Sequence, residues 1–225
     1  MPDSVPTVYA ATRRALHAVA EHVLAAALHD ATGRIGLRVT PGGFGTPAFP
    51  GAGTERQVRI DGTDIVVNHG VSERRGPLET VRQAAAFVGI EPGAPRSVYT
   101  PATPLDPDAP LAIDPSAAAA IHEWFRASAE ALERFRGAHE PAQPTIAQLW
   151  PEHFDLAISM GEVNYGSSPG DDDHESGYAY VGPWSLDGLD GGFWNEPFGA
   201  SRTSSALGSG DDLVAFFETG YALTS

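Results

Sequence analysis

The sequence has neither cysteine nor lysine, and it has no apolar run long enough to cross a bilayer. Without cysteine, the chain has no disulfide, no thiolate zinc ligand and no cysteine nucleophile. The absence of lysine is typical of codon usage in a GC-rich genome. Arg13, Arg14 and His17 interrupt the N-terminal segment where a secretory leader needs an unbroken apolar stretch. We therefore expect a soluble, cytoplasmic protein.

Positive charge is scarce, because 14 arginines stand against 29 acidic residues and the formal net charge is −15. Nucleic acids and anionic membrane surfaces repel a chain of this charge, so we expect neither as a partner. The imbalance is concentrated after residue 136, where Arg202 is the only arginine beside 14 acidic residues. Such a density indicates either a well-solvated surface or a site for a cation.

The composition is that of a folded globular protein, with 42% apolar and 19% charged residues. The 25 glycines and 19 prolines predict many turns and short elements rather than long helices throughout. A chain of 225 residues forms one large domain or two small ones, and either can bury a core.

Hydrophobic periodicity predicts a helix, several strands and a second helix in the first part of the chain. Apolar residues three and four positions apart predict a helix over 7–31, and alternation predicts a strand over 34–40. The segment 58–67 turns at Asp61-Gly62 and is typical of a hairpin. A short helix is predicted over 77–89.

Six prolines between residues 91 and 113 predict an extended segment, which we call the connector. We place the boundary between a first half, 1–90, and a second half, 114–225, in this connector. Asp114-Pro115 supplies a helix N-cap followed by a proline at the first helical position. The second half is predicted to contain a helix over 115–136, strands over 153–160, 178–181 and 192–196, and a closing helix after Asp211-Asp212.

Both halves run helix, strands, helix, and a Gly/Pro loop follows the first strand of each, which suggests an internal duplication. The predicted fold class is α+β, with two similar helix–strands–helix halves that form a mostly antiparallel sheet covered by helices. We expect the halves to form one compact unit.

His153 and Asp155 are the first candidate catalytic residues. They are two positions apart in the predicted strand 153–160, so both side chains would leave the same face of the sheet. An imidazole beside a carboxylate is the pair that orients histidine for acid–base work or for metal binding. The alternative is a structural hydrogen bond or two exposed polar residues on a one-sided sheet.

The acidic run 171–175 supplies the candidate metal ligands Asp171, Asp173 and Glu175. In an extended segment these three carboxylates would point the same way, and hard cations bind several such oxygens. The run is not an EF-hand loop, because Ser176 and Gly182 replace the glycine and glutamate that the EF-hand requires. The alternative is a solvated surface loop, and a divalent cation is the only cofactor that the run suggests.

Aromatic residues crowd the last third of the chain, where they would form either a second hydrophobic core or the walls of a ligand pocket beside acidic groups. We interpret the helical histidines His17, His22, His29 and His122 as surface residues. The candidate ligand-binding residues are Asn164, Tyr165, Tyr178, Tyr180 and Glu196.

Four segments of the second half stand out together: Trp150-Pro151-Glu152-His153-Phe154-Asp155-Leu156, Asn164-Tyr165-Gly166, Pro169-Gly170-Asp171 and Tyr178-Ala179-Tyr180-Val181. Together they resemble a family of uncharacterised actinobacterial proteins that share a Trp-Pro-x-His-Phe-Asp-Leu strand and a Gly-Asp loop. The resemblance is specific over residues 145–200. It implies the fold and a bacterial, soluble setting, and it implies no reaction.

Two functions are consistent with these patterns. The first is a binding module whose acidic, aromatic pocket in the second half holds a small polar or cationic ligand or a protein partner. The second is a metal-assisted hydrolase, in which His153 and Asp155 ligate the ion or act as base and the 171–175 carboxylates complete the site.

Overall fold

The computed structural model describes residues 7–51, 53–189 and 191–224. It contains helices and two antiparallel sheets, which confirms the α+β class. The chain forms two compact units, residues 1–123 with 149–154 and residues 124–148 with 155–225, called here the first and second units. The units therefore divide within a helix and not in the connector, where we placed the boundary.

The first unit begins with one continuous helical segment, close to the predicted 7–31. It consists of α1 (Thr7–Val19), a π-helix (Ala20–Ala25) and α2 (Ala26–Thr32). Gly33 ends it with a left-handed φ of 71°, a conformation that glycine adopts without a Cβ clash. Every residue of the π-helix is buried.

The sheet of the first unit is antiparallel, in the order β1-β2-β4-β5-β6, with β3 paired to β4. The predicted hairpin is confirmed, because Ile60 pairs with Ile65 across the turn. The strand predicted over 34–40 is shorter than expected and begins at Arg38. The strands are β1 (Arg38–Thr40), β2 (Gly43–Gly45), β3 (Phe49–Pro50), β4 (Glu55–Asp61), β5 (Asp64–His69) and β6 (Ser72–Pro77).

Helix α3 (Val81–Val88) follows this sheet, within the predicted 77–89. The Thr80 hydroxyl accepts a hydrogen bond from the backbone N–H of Gln83, and Gly89 closes the other end with a φ of 84°. The connector after it contains neither helix nor strand.

Helix α4 (Pro115–Ala138) contains the division between the two units. Its predicted start is confirmed, because the Asp114 carboxylate accepts from the N–H groups of Ser116 and Ala117. A short 3₁₀ turn (Glu140–Ala142) follows it.

The second sheet is also antiparallel, and within the second unit β8 to β11 pair in sequence order. The strand predicted over 192–196 is wrong: residues 192 and 193 form a turn, residues 194 and 195 are irregular, and Glu196 makes only an isolated bridge to Gly199 before the last strand begins. The elements are β7 (Gln148–Trp150), which spans the division between the units, β8 (Asp155–Met160), β9 (Val163–Ser168), β10 (Tyr178–Pro183), β11 (Ala200–Thr203) and α5 (Gly210–Thr224).

The internal duplication is not confirmed and stays a prediction. The first sheet has a branch where β3 pairs β4, whereas the second is an unbranched meander. The helices are also fewer than the predicted fold class implies, in which helices cover the sheets of both halves. No helix in the described ranges has both the length and the apolarity that a membrane crossing requires.

Candidate functional site

The two faces of the second sheet differ in chemistry. The strand register places Gly166 opposite both Ala157 and Tyr180, and Tyr180 opposite Ser201, so these residues share one face. Because side chains alternate along a strand, Asp155, Asn164 and Tyr178 lie on that face too. We call it the polar face. The opposite face is apolar, and it carries Leu156, Ile158, Val163, Tyr165 and Val181.

The predicted strand that joined His153 to Asp155 is wrong in its first two residues. Strand β8 begins at Asp155, and residues 151–154 form a turn closed by a 2.8 Å hydrogen bond from Phe154 N–H to the carbonyl of Trp150. Phe154 has a φ of 52°, which no β-strand residue adopts. The alternation therefore stops at Asp155, and His153 is an exposed turn residue.

Asp155 binds the phenol of Tyr180 on the polar face. The Tyr180 hydroxyl donates a hydrogen bond to Asp155 Oδ2, and only 8% of Asp155 is exposed. Gly166 makes room for this phenol, since a Cβ there would lie 2.6 Å from the Tyr180 hydroxyl oxygen. Burial and the negative charge of Asp155 both raise the pKa of Tyr180, so the phenol stays protonated and acts as a donor.

Asp171 organises the acidic loop and does not project from it. Its carboxylate accepts hydrogen bonds from the N–H groups of Asp173 at 2.8 Å and His174 at 2.7 Å, and from the Tyr178 hydroxyl at 2.6 Å. Burial raises the pKa of Asp171, but these donors outweigh it and lower the pKa overall. Asp171 is therefore an ionised carboxylate held beside a tyrosine.

His174 joins Asp171 to Glu196. Its Nδ1 lies 3.2 Å from Asp171 Oδ1 and its Nε2 lies 3.1 Å from Glu196 Oε1, which also accepts from the Ser201 hydroxyl at 2.7 Å. Burial lowers the pKa of His174, yet the bond to Glu196 and the charge of Asp171 raise it overall. The hydrogen bonds from Ser201 and His174 lower the pKa of Glu196.

These contacts form one group of side chains, in which the rings of Tyr178 and Tyr180 lie 6.3 Å apart. Sequence reasoning missed two members. Ser201 was missed because the last strand was predicted over 192–196. His174 was missed because only the carboxylates of the acidic run were selected as candidate ligands. We call the group the acid–tyrosine cluster; its members are Asp155, Asp171, His174, Tyr178, Tyr180, Glu196 and Ser201.

Two of the predicted ligand-binding residues lie outside this cluster. Tyr165 is fully buried on the apolar face, where its ring lies 4.8 Å from Phe135 and 6.2 Å from Phe217. It is therefore a core residue and not a ligand contact. Asn164 is on the polar face, but its side-chain oxygen is used by the Ser159 hydroxyl at 2.7 Å.

The predicted metal ligands do not converge. Asp171 turns back on its own loop, and Asp173 and Glu175 are exposed. Within residues 7–51, 53–189 and 191–224, no group of three or more histidine, aspartate or glutamate side chains is arranged to hold a metal ion. The acidic run is not the extended segment that we predicted, because the Asp171 carboxylate closes it into a turn.

Arg202, the only arginine after residue 136, lies on the apolar side of the sheet. Its guanidinium lies over the rings of Phe193 at 5.6 Å and Phe216 at 5.7 Å. Its Nη1 donates to Asn195 Oδ1 at 3.2 Å and to the carbonyl of Ser201 at 2.7 Å. This arginine therefore satisfies amide and carbonyl oxygens and does not pair with the carboxylates of the acid–tyrosine cluster.

The first unit buries histidines that we expected on helix surfaces. His22 is 1% exposed; its Nδ1 accepts from Ala94 N–H at 3.1 Å and its Nε2 donates to the carbonyl of Thr103 at 3.1 Å. Glu21 is 0% exposed and accepts from the N–H groups of Ala102 at 2.9 Å and Thr103 at 2.8 Å. These bonds tie the connector to the π-helix, which is why the connector belongs to the first unit.

Comparisons of the chain with protein-family models, with curated proteins and with solved structures found no match. The resemblance to an actinobacterial family therefore stays a prediction.

Proposed function

We propose that the second unit is a binding module for a small organic cation, which it holds at the acid–tyrosine cluster. The observation that carries the proposal is the pairing of two tyrosines with two carboxylates on one sheet face. Tyr178 donates to Asp171, and Tyr180 donates to Asp155. Each hydroxyl fixes a carboxylate beside an aromatic ring.

This pairing suits an ammonium, amidinium or quaternary ammonium group. Carboxylates supply the opposite charge and accept N–H hydrogen bonds, while the face of a tyrosine ring attracts a cation through its quadrupole. Binding sites for small ligands combine aromatic walls with a few fixed polar groups in the same way. The tyrosine pKa values are raised, so the hydroxyls remain donors and the negative charge stays on the carboxylates.

The charge distribution also supports a cationic ligand. The last 89 residues hold 14 acidic residues, and their one arginine, Arg202, is engaged elsewhere. Within the cluster, His174 bridges Asp171 and Glu196, and these two acids raise the pKa of its imidazole. A bound cation would lower the repulsion among the remaining carboxylates. The metal-assisted alternative has no comparable support, because its ligands do not converge.

Thermal unfolding with defined cations tests the proposal. Putrescine, spermidine, choline and arginine are titrated at fixed ionic strength, with sodium chloride as the reference. A ligand that binds only the folded chain raises its stability by about 2.7 kcal/mol at a hundredfold excess over Kd. We expect at least one cation to raise the midpoint in a saturable way and to exceed the sodium chloride shift.

Matched variants locate the site. Asp155→Asn removes a charge from the cluster and keeps the shape of the side chain, and Tyr180→Phe removes only the hydroxyl. Asp187→Asn removes the same charge from an exposed loop of the same unit. The cation shift should fall in the first two variants and persist in Asp187→Asn. Equal losses in Asp155→Asn and Asp187→Asn, or no shift beyond sodium chloride in the wild type, would refute the proposal.

A further inference from the structure

Two arginines of the first sheet lie on the face that packs against α3. Arg56 in β4 pairs with His69 of β5, and Arg74 in β6 pairs with Val67 of β5. Because positions two apart along β5 share a face, all these side chains project to the same side. The Arg74 guanidinium lies 4.5 Å from the ring centroid of Phe87, near the end of α3, which identifies that side.

The arginines of the opposite face are fully engaged with acids. Arg59 pairs with Asp61 at 3.0 Å and with Glu73 at 3.2 Å, and Arg75 pairs with Asp61 at 2.5 Å and with Asp64 at 3.2 Å. The acids of the hairpin β4–β5 and of β6 therefore form their ion pairs on this opposite face. In the described part of the chain, neither Arg56 nor Arg74 has a carboxylate at ion-pair distance.

Arg56 has an unused donor in a buried position. Its Nη2 donates to the carbonyl of Val88, and its guanidinium lies 5.9 Å from the ring centroid of Phe49. Its Nε is buried and has no hydrogen-bond partner among the described residues. A buried charged donor left unsatisfied is costly, and such donors are normally paired with an acceptor.

The charges of Arg56 and Arg74 also act on each other. Burial lowers the pKa of Arg56, and the positive charge of Arg74 lowers it further. Two like charges on one face, without a carboxylate, are unfavourable for the folded chain. An anion placed between the two guanidinium groups would relieve this repulsion.

We propose that Arg56 and Arg74 form a binding site for an oxyanion, and specifically for the dianionic phosphoryl group of a small molecule. Guanidinium groups present their N–H donors in a planar fork that matches phosphate oxygens. The site carries two formal positive charges, which a phosphate dianion balances and a single carboxylate does not. His69 lies directly opposite Arg56 on the same face.

Hydrogen bonds to the last carbonyls of α3 weaken the opposition of this helix end to an anion. Helix C-termini disfavour anions because their last carbonyls are unsatisfied. Here Gly89 N–H donates to the carbonyl of Ala85 at 2.8 Å and to that of Ala86 at 3.1 Å. Arg56 itself satisfies the carbonyl of Val88. These bonds cap the end of α3. The second arginine of the pair, Arg74, is exposed to solvent.

Calorimetric titration with inorganic phosphate at pH 7.5 tests the site, with sodium chloride and sodium acetate at matched ionic strength as references. Glycerol phosphate is a second probe, which separates a phosphate monoester from the free ion. We expect saturable binding of phosphate and weaker binding of acetate. Loss of one charge-assisted contact should weaken phosphate binding about tenfold in Arg74→Gln.

Arg75→Gln is the matched control, because it removes the same charge from the neighbouring position of the same strand and the opposite face. It should bind phosphate like the wild type. Arg74 is exposed, so its replacement leaves the folded chain intact, and circular dichroism checks this. The site does not exist if Arg74→Gln keeps the wild-type affinity, if both variants lose affinity equally, or if chloride reproduces the phosphate signal. None of these outcomes bears on cation binding by the second unit.

Discussion

His122 should destabilise the protein in mild acid, because its imidazole is buried in a place that favours the neutral form. The side chain is 8% exposed, and its ring meets that of Phe44 edge-on at 6.0 Å. Its Nε2 is buried without a hydrogen-bond partner among the described residues. Burial lowers the pKa of His122 to about 4 from 6.5, although the charge of Asp61 acts in the opposite direction.

The sign and size of the effect follow from linkage. Below pH 6.5 the unfolded chain binds a proton at His122 that the folded chain does not bind until the pH approaches 4. Stability is therefore complete above pH 6.5 and falls as the pH decreases through this interval. A shift of this size corresponds to about 3 kcal/mol in total, and most of it should be lost by pH 4.5.

Urea unfolding at a series of pH values measures this loss. His122→Leu replaces the imidazole with an apolar side chain of similar size that needs no partner. Between pH 7.5 and 4.5 the wild type should lose about 2 to 3 kcal/mol more free energy of unfolding than this variant. His153→Leu is the control, since it makes the same replacement at an exposed position. Parallel pH profiles for the wild type and His122→Leu would refute the reasoning.

Three other predictions concern the remaining buried groups and close contacts. Glu21→Ala removes a fully buried acceptor of two backbone N–H groups and should cost about 2 to 4 kcal/mol in urea unfolding, with faster proteolysis of the connector; unchanged proteolysis would mean that other contacts hold the connector. Gly220→Ala should destabilise the fold by about 1 to 3 kcal/mol, because its Cβ would lie 2.7 Å from a side-chain carbon of β10. The matched variant Gly137→Ala meets no atom within 4 Å and should stabilise the helix by up to about 1 kcal/mol. A gain in stability in both variants would show that the contact at Gly220 relaxes freely. The raised pKa of His174 means that its bonds stabilise the fold fully below pH 6.5 and are lost as the pH rises through the higher folded value. NMR titration should give His174 a lower pKa in Glu196→Gln than in the wild type, and an equal value would remove Glu196 as its partner.

The periodic segments of the sequence predicted most elements of the fold, because burial on one side imposes a pattern on helices and strands. Both long helical segments, the hairpin at Asp61-Gly62 and the N-cap at Asp114 lie where the pattern placed them. Segment 192–196 has the aromatic residues typical of a strand, yet it forms a turn followed by irregular backbone. Local propensity cannot indicate this, because it does not show that residues 200–203 are the ones that pair with β10.

The candidate site was predicted in part. Tyr178, Tyr180 and Glu196 were predicted as ligand-binding residues, Asp155 as a catalytic residue and Asp171 as a metal ligand, and all five lie in the acid–tyrosine cluster. His153 and Tyr165 were assigned with them and lie elsewhere. A single residue with positive φ, Phe154, ends the alternation before His153, and the β9 register directs Tyr165 into the core.

The sequence by itself determined the α+β class, the charge imbalance and the residue types available for a site, because these follow from composition and from local periodicity. Only the tertiary structure decided which acids meet tyrosines and which arginines are left without an acid. Arg56 and Arg59 are three residues apart on one strand, so strand alternation places one on each face. The register of the neighbouring strands places carboxylates beside Arg59 and, among the described residues, none beside Arg56. Register is set by cross-strand contacts, which no local sequence pattern contains.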